Sequence, residues 1–159
     1  MRIWKALALT GLAAGAAALI GTISADPRDM RRYYRRLDKP SFAPPAKVFG
    51  PVWGVLYPAI ALSGARVLAA PASPARSAAI ALWLSQMVLN AAWTPLFFGR
   101  KDARAALVDI AGVLALTSAY TVAASRIDRP AAALALPYVG WVAFAGALNQ
   151  GIVDRNPRA

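Results

Sequence analysis

The 159-residue chain contains no cysteine and no histidine, and all seven of its acidic residues are aspartates. The first absence excludes disulfides and thiol nucleophiles. The second excludes imidazole bases, and together they remove the commonest protein ligands of zinc and haem iron. Most of the seven aspartates stand near the ends of apolar runs, so acid–base or metal-dependent enzymology has few residues to work with. No metal, resident cofactor or catalytic constellation is expected.

What is abundant is hydrocarbon: 58% of the residues are hydrophobic and the mean hydropathy is +0.46. The apolar residues cluster in runs of about 20, the length that crosses a bilayer core of about 30 Å. The expected fold is all-α: an integral membrane bundle of five transmembrane helices, at about 6–25, 46–70, 78–98, 104–125 and 130–153, in a single domain spanning 1–159. The first run, with Arg2 and Lys5 ahead of it, has the outline of a signal peptide. It lacks a good A-x-A site and is long enough to span, which favours a helix. Within it, Gly11-x-x-x-Gly15 allows close approach of a neighbouring helix, or is a chance product of an Ala-rich run.

The net charge of +11 would suggest nucleic acid in a soluble protein. Here the lipid bilayer is the better partner, with Lys and Arg in loops that orient the chain, and no nucleic acid is expected. Twelve of the eighteen Lys and Arg residues fall in the first loop, the third loop and the C-terminal tail. This puts the N-terminus outside and the C-terminus in the cytoplasm.

The segment 26–45 is the one long polar connection. It carries a row of arginines and a pair of tyrosines, Tyr33 and Tyr34, suited to a membrane interface. Its prolines, Pro40, Pro44 and Pro45, stiffen it and forbid a helix through it. It reads as a lid over one end of the bundle, or as a solvated loop.

The most informative stretch is QMVLNAAWTPLFFG, residues 86–99. At about 100° per residue, Gln86, Asn90, Trp93 and Phe97 share one helical stripe. Carboxamides at bilayer depth are costly unless they meet partners or line a cavity, so this helix faces either an internal site or another helix that it glues. Pro95 adds a freed carbonyl at Ala91. In the preceding run Phe49, Trp53 and Tyr57 form a second stripe, which taken alone suits packing, and Pro58 frees the Gly54 carbonyl. In the last run Trp141, Ala145, Leu148 and Asn149 share a face, and small Ala145 leaves room for a ligand or a helix. Asp109, about a turn inside the fourth run, reads as a structural or lid-anchoring carboxylate, with a proton relay as the alternative.

These residues resemble the TspO/translocator-protein family, also called tryptophan-rich sensory proteins or peripheral benzodiazepine receptors (MBR). The resemblance rests on LDKPSFAPPAKVFGPVWGVLYP, on Q-x-x-x-N-x-x-W-x-x-x-FFG, on ALVD and on LPYVGWVAFAGALN, and it covers nearly the whole chain. It implies a five-helix bundle, often a homodimer, with the first loop closing over a cavity that takes porphyrins and benzodiazepine-site ligands. Trp53, Trp141, Asn90, Trp93 and Ala145 match cavity positions, and Phe49, Tyr57, Gln86, Phe97 and Asn149 belong in or beside it. Two departures stand out. Phe42 replaces a tryptophan of the lid, and Gln150 stands where cholesterol-binding members carry a tyrosine, which argues against cholesterol.

The function implied is a membrane receptor or carrier for a tetrapyrrole, a metal-free porphyrin rather than haem because, with no His or Cys, the site has no obvious axial ligand. Basic residues at the loop mouth are placed to attract its propionates. Trp53 and Trp141 are the candidate redox side chains of an alternative, light-dependent porphyrin breakdown. A scaffold without transport and a proton-coupled exporter using Asp109 are further alternatives. An Arg-rich, Ala-rich chain points to a bacterial inner membrane, with a mitochondrial outer membrane as the alternative.

Overall fold

Five helices in the computed structural model are long and apolar enough to cross a bilayer, and a sixth, short and polar, lies between the first two. Residues 1–157 are described; Arg158 and Ala159, the end of the polar tail, lie outside them. The spans are α1 (Ile3–Ile23), α3 (Phe49–Ala69, entered through one 3-10 turn at Ala46–Val48), α4 (Pro74–Thr94), α5 (Ala103–Ser125) and α6 (Arg129–Arg155). The short helix is α2 (Pro27–Arg36). No strand occurs among the described residues, so the all-α expectation holds.

Local chemistry sets the ends. Asp102 caps α5 by accepting the Ala105 N–H at 2.8 Å, and Asp128 caps α6 by accepting that of Ala131 at 2.7 Å. Ser73 caps α4 through the Arg76 N–H at 3.1 Å, with Pro74 in the first turn, where its missing donor costs nothing. The third span therefore begins four residues before the expected 78, with Ser73-Pro74 as the helix start. Past Thr94, α4 continues as a π turn, Pro95–Gly99, closed by the Arg100 N–H on the Pro95 carbonyl at 2.8 Å. The proline widens this helix without ending it.

The first loop corrects the sequence reading. Its prolines were expected to keep helix out, yet its first half is α2. Asp26 accepts the Arg28 N–H at 2.6 Å, Pro27 occupies the first turn, and the helix ends before Pro40. The prolines govern only the second half.

In the bundle α4 packs along α5, α5 along α6 and α1 along α3, while α3 also meets α6 and α1 meets α4. Small residues allow this closeness: Ala6, Ala14 and Ala17 of α1 are fully buried, and Thr10 Oγ1 donates to the Ala61 carbonyl of α3 at 2.8 Å. Trp83 is the largest buried side chain. Its indole donates to the Ile60 carbonyl at 3.0 Å and its ring lies where a Cβ at Gly64 would stand. Leu12, Val55, Val88 and Val108 are exposed on the outer faces, as a hydrocarbon solvent favours. At the end remote from α2, Arg66 of α3 pairs with Asp128 at 3.0 Å through two hydrogen bonds.

Candidate functional site

At the other end, the helices splay around a cavity of about 1150 Å³. α3 contributes Phe49, Trp53, Gly54 and Tyr57; α4 and its π turn contribute Asn90, Trp93, Phe97 and Phe98; α6 contributes Trp141, Ala145, Leu148 and Asn149. Ala18 and Gly21 of α1 and Ile110 and Val113 of α5 complete the walls, and α2 forms the roof. The three stripes read from the sequence thus converge on one hollow.

The walls are held by aromatic contacts. Trp93 stacks on Phe97 at 4.8 Å and 15°, Trp53 lies against Tyr57 at 5.1 Å, and Phe49 meets Trp141 edge-on at 5.8 Å. Tyr33 of α2 sits edge-on against Phe97 and Phe98 at 5.8 and 6.3 Å, and Tyr34 against Phe49 at 6.2 Å. Burial raises both tyrosine pKa values, that of Tyr33 further through the charge of Asp102. The Lys39 ammonium donates to the Tyr34 and Leu37 carbonyls, both at 2.8 Å, and lies over the Tyr34 ring. Asn156 at the end of α6 exchanges two hydrogen bonds with the backbone of Asp38, and Pro40 fills the space beside Gly151 that a Cβ would need. The roof is therefore tied to both α4 and α6.

The polar groups of the floor are already partnered. The Tyr57 hydroxyl donates to Asn90 Oδ1 at 2.7 Å, Asn90 Nδ2 donates to the Tyr138 hydroxyl at 2.8 Å, and Tyr138 donates to Gln86 Oε1 at 3.0 Å. Asn149 accepts the Trp93 indole N–H at 3.2 Å and donates to the Ala103 carbonyl at 2.8 Å, linking α4, α5 and α6.

Three expected positions are corrected. Gln86 does not border the cavity: it is wholly buried a turn deeper, behind the Tyr138 phenol. Asp109 also lies off the cavity and makes no hydrogen bond or ion pair to the lid among the described residues; one of its carboxylate oxygens is buried without a partner. The lid is anchored instead by Asn156 on the Asp38 backbone and by Tyr33 packed on Phe97 and Phe98. Phe42 is 52% exposed and packs outside, against Phe144 at 6.2 Å, so the lid aromatic that borders the cavity is Tyr34. Tyr138 and Phe98 were missed. The basic residues expected at the loop mouth are arginines of α2; the signal for that helix was the Asp26-Pro27 cap followed by Arg at helical spacing.

A five-helix membrane protein with a roofed, aromatic-walled internal cavity is the class that these features define. The sequence matches the family model "TspO/MBR family" over residues 7–154, and the chain belongs to that family. It is 41% identical over 120 residues to the human translocator protein, covering 74% of this chain and 71% of that one, and 38% identical over the same length and shares to the bovine one. It is 35% identical over 132 residues to the tryptophan-rich protein TspO of Chlorobaculum tepidum, covering 82% of this chain and 84% of that one.

Proposed function

We propose that this protein is a membrane receptor or carrier that takes a flat, mostly apolar tetrapyrrole, a metal-free porphyrin, into the roofed cavity. The observation that carries the reading is the convergence of Trp53, Trp93 and Trp141 on one space of about 1150 Å³, at the upper end of the size of small-molecule sites. Rigid indole faces suit a planar guest, each stacked pair contributing about 0.5–1.5 kcal/mol beyond burial. No histidine or cysteine exists in the chain to ligate an iron. The working location is a bacterial inner membrane with the N-terminus outside.

The test is a dark titration of the purified protein with protoporphyrin IX, followed by tryptophan quenching. Wild type should quench saturably, and Trp141→Phe and Asn90→Ala should weaken binding. Absence of saturable quenching would remove the tetrapyrrole reading. The presence of both Trp53 and Trp141 at the cavity wall supports a second reading, light-dependent oxidation of the bound porphyrin. Its mark is loss of the ligand spectrum under light and oxygen that Trp→Phe variants, still binding, no longer show.

A further inference from the structure

The two ends of the cavity differ in what they still have to offer a ligand. At the floor, Asn149 is committed to Trp93 and Ala103, and Asn90 to Tyr57 and Tyr138. At the roof, Arg28, Arg31, Arg32 and Arg35 all border the cavity. Their spacing of i, i+3, i+4 and i+7 sets them on one face of α2 within about 100° of arc. None of the four guanidiniums has an ion-pair or side-chain hydrogen-bond partner among the described residues, whose one salt bridge is Arg66–Asp128 at the opposite end. No aspartate borders the cavity. The neighbouring Lys39 is spent on backbone carbonyls, so the free cations are the arginines, whose planar forks match carboxylates and phosphates.

Two further donors beside the roof lack partners: the Tyr34 hydroxyl and the Trp141 indole N–H are both buried without a hydrogen bond, and both rings rest against Phe49. An apolar chamber capped by donors with no acidic counterpart is built for an amphiphile with an anionic edge. We infer that the arginine face of α2 reads the carboxylates of the ligand, so that the guest sits with its charged edge under α2 and its apolar body toward Asn90. This rests on the tetrapyrrole reading and sharpens the expectation that basic residues at the loop mouth attract the propionates, by naming the four arginines and the orientation they impose. The same guanidinium chemistry would serve the phosphate of an anionic lipid headgroup, and the experiment separates the two sources.

The full-length protein in nanodiscs of neutral phosphatidylcholine is titrated in the dark with protoporphyrin IX and with its uncharged dimethyl ester. Wild type should prefer the diacid by about tenfold or more, the effect of one well-made charged hydrogen bond or better. Raising the salt should weaken the diacid and leave the ester unchanged, because exposed guanidiniums are screened. The variant R28Q/R31Q/R32Q/R35Q should bring the diacid to the level of the ester and hold the ester within about twofold of wild type, as a loss confined to the charged contacts requires. Retained ester binding also shows that the variant is folded. The corresponding four-lysine variant should keep the salt dependence and part of the preference.

Equal affinity of wild type for diacid and ester would overturn the proposal, and so would a glutamine variant that weakens both alike. A preference that survives the glutamine substitutions, accompanied by loss of co-purifying phosphatidylglycerol, would overturn it too and assign the arginines to lipid phosphate. If neither compound binds wild type, the tetrapyrrole reading fails and this inference with it; equal affinity sinks the inference alone.

Discussion

Asn149 joins the cavity wall to two other helices through its side chain, and replacing it with leucine isolates that role. Leucine keeps the branching and the number of side-chain heavy atoms and removes both hydrogen bonds. The Ala103 carbonyl is in the first turn of α5 and keeps its helical partner, so its loss is small. The half-buried Trp93 N–H loses its acceptor at 3.2 Å. In a soluble core an unmet donor costs about 1–3 kcal/mol, whereas coupling energies measured between transmembrane helices average about 0.6 and reach about 1.7 kcal/mol. Asn149 is 1% exposed and lies in this second setting, so a loss of about 0.6–1.7 kcal/mol is expected. For a chain of this length that lowers the unfolding temperature by about 1–7 °C. The assay is thermal unfolding of purified protein in detergent, read by tryptophan emission, for Asn149→Leu, Trp93→Phe and the double variant. If the indole–amide bond carries the effect, the double variant is more stable than the sum of the singles predicts, by about 0.6–1.7 kcal/mol. Additivity within about 0.3 kcal/mol, or a leucine variant as stable as wild type, would refute the reasoning.

Two glycines with similar crowding should respond differently. An added Cβ at Gly64 would stand 2.7 Å from the Trp83 ring, whose indole is fixed on the Ile60 carbonyl, whereas at Gly112 it would stand 2.8 Å from a terminal methyl of Leu89. Gly64→Ala should therefore cost about 1–3 kcal/mol and shift tryptophan emission, while Gly112→Ala should cost clearly less; equal losses in thermal unfolding would contradict this. The Arg66–Asp128 pair predicts a pH dependence. Partial burial pushes the Asp128 carboxyl up, but the hydrogen bond and charge of Arg66 and the Ala131 N–H outweigh it and hold the pKa below the usual range. The stabilisation is thus complete above the unfolded pKa of about 3.9 and is lost as pH falls through the lower folded value. Because Arg66 is 39% exposed, screening limits the ion pair to about 0.5–1 kcal/mol; Asp128→Asn should flatten the acid limb of the unfolding temperature against pH, and an unchanged limb would exclude the pair as its source.

The five spans were legible because hydropathy over about 20 residues reports a bilayer crossing whatever the packing partners are. The aromatic stripes of α3, α4 and α6 were legible as stripes, and three sets on three helices point at one axis. Gln86 shows where that logic stops: helical periodicity gives direction around an axis but not depth along it, and the Tyr138 phenol closes the floor between Asn90 and Gln86. α2 was hidden by weighting Pro40, Pro44 and Pro45 over the Asp26-Pro27 start, although proline restricts only its own turn and the residue before it. Asp109 was read through its nearness to a run end; its partner-less oxygen depends on which side chains of α4 and α6 surround it, which the order of residues along α5 does not encode.

The relay from Tyr57 through Asn90 and Tyr138 to Gln86 runs head to tail, every proton aimed the same way. No member can be turned round alone: rotating the Asn90 carboxamide would set donor against donor at Tyr57 and acceptor against acceptor at Tyr138 unless both phenols swung as well. Three helices are in this way wired to a common polarity. A visitor that demanded the opposite arrangement at that depth would have to reverse the whole series at once, which makes the base of the chamber a rigid template and leaves adaptation to the arginine-bearing cover.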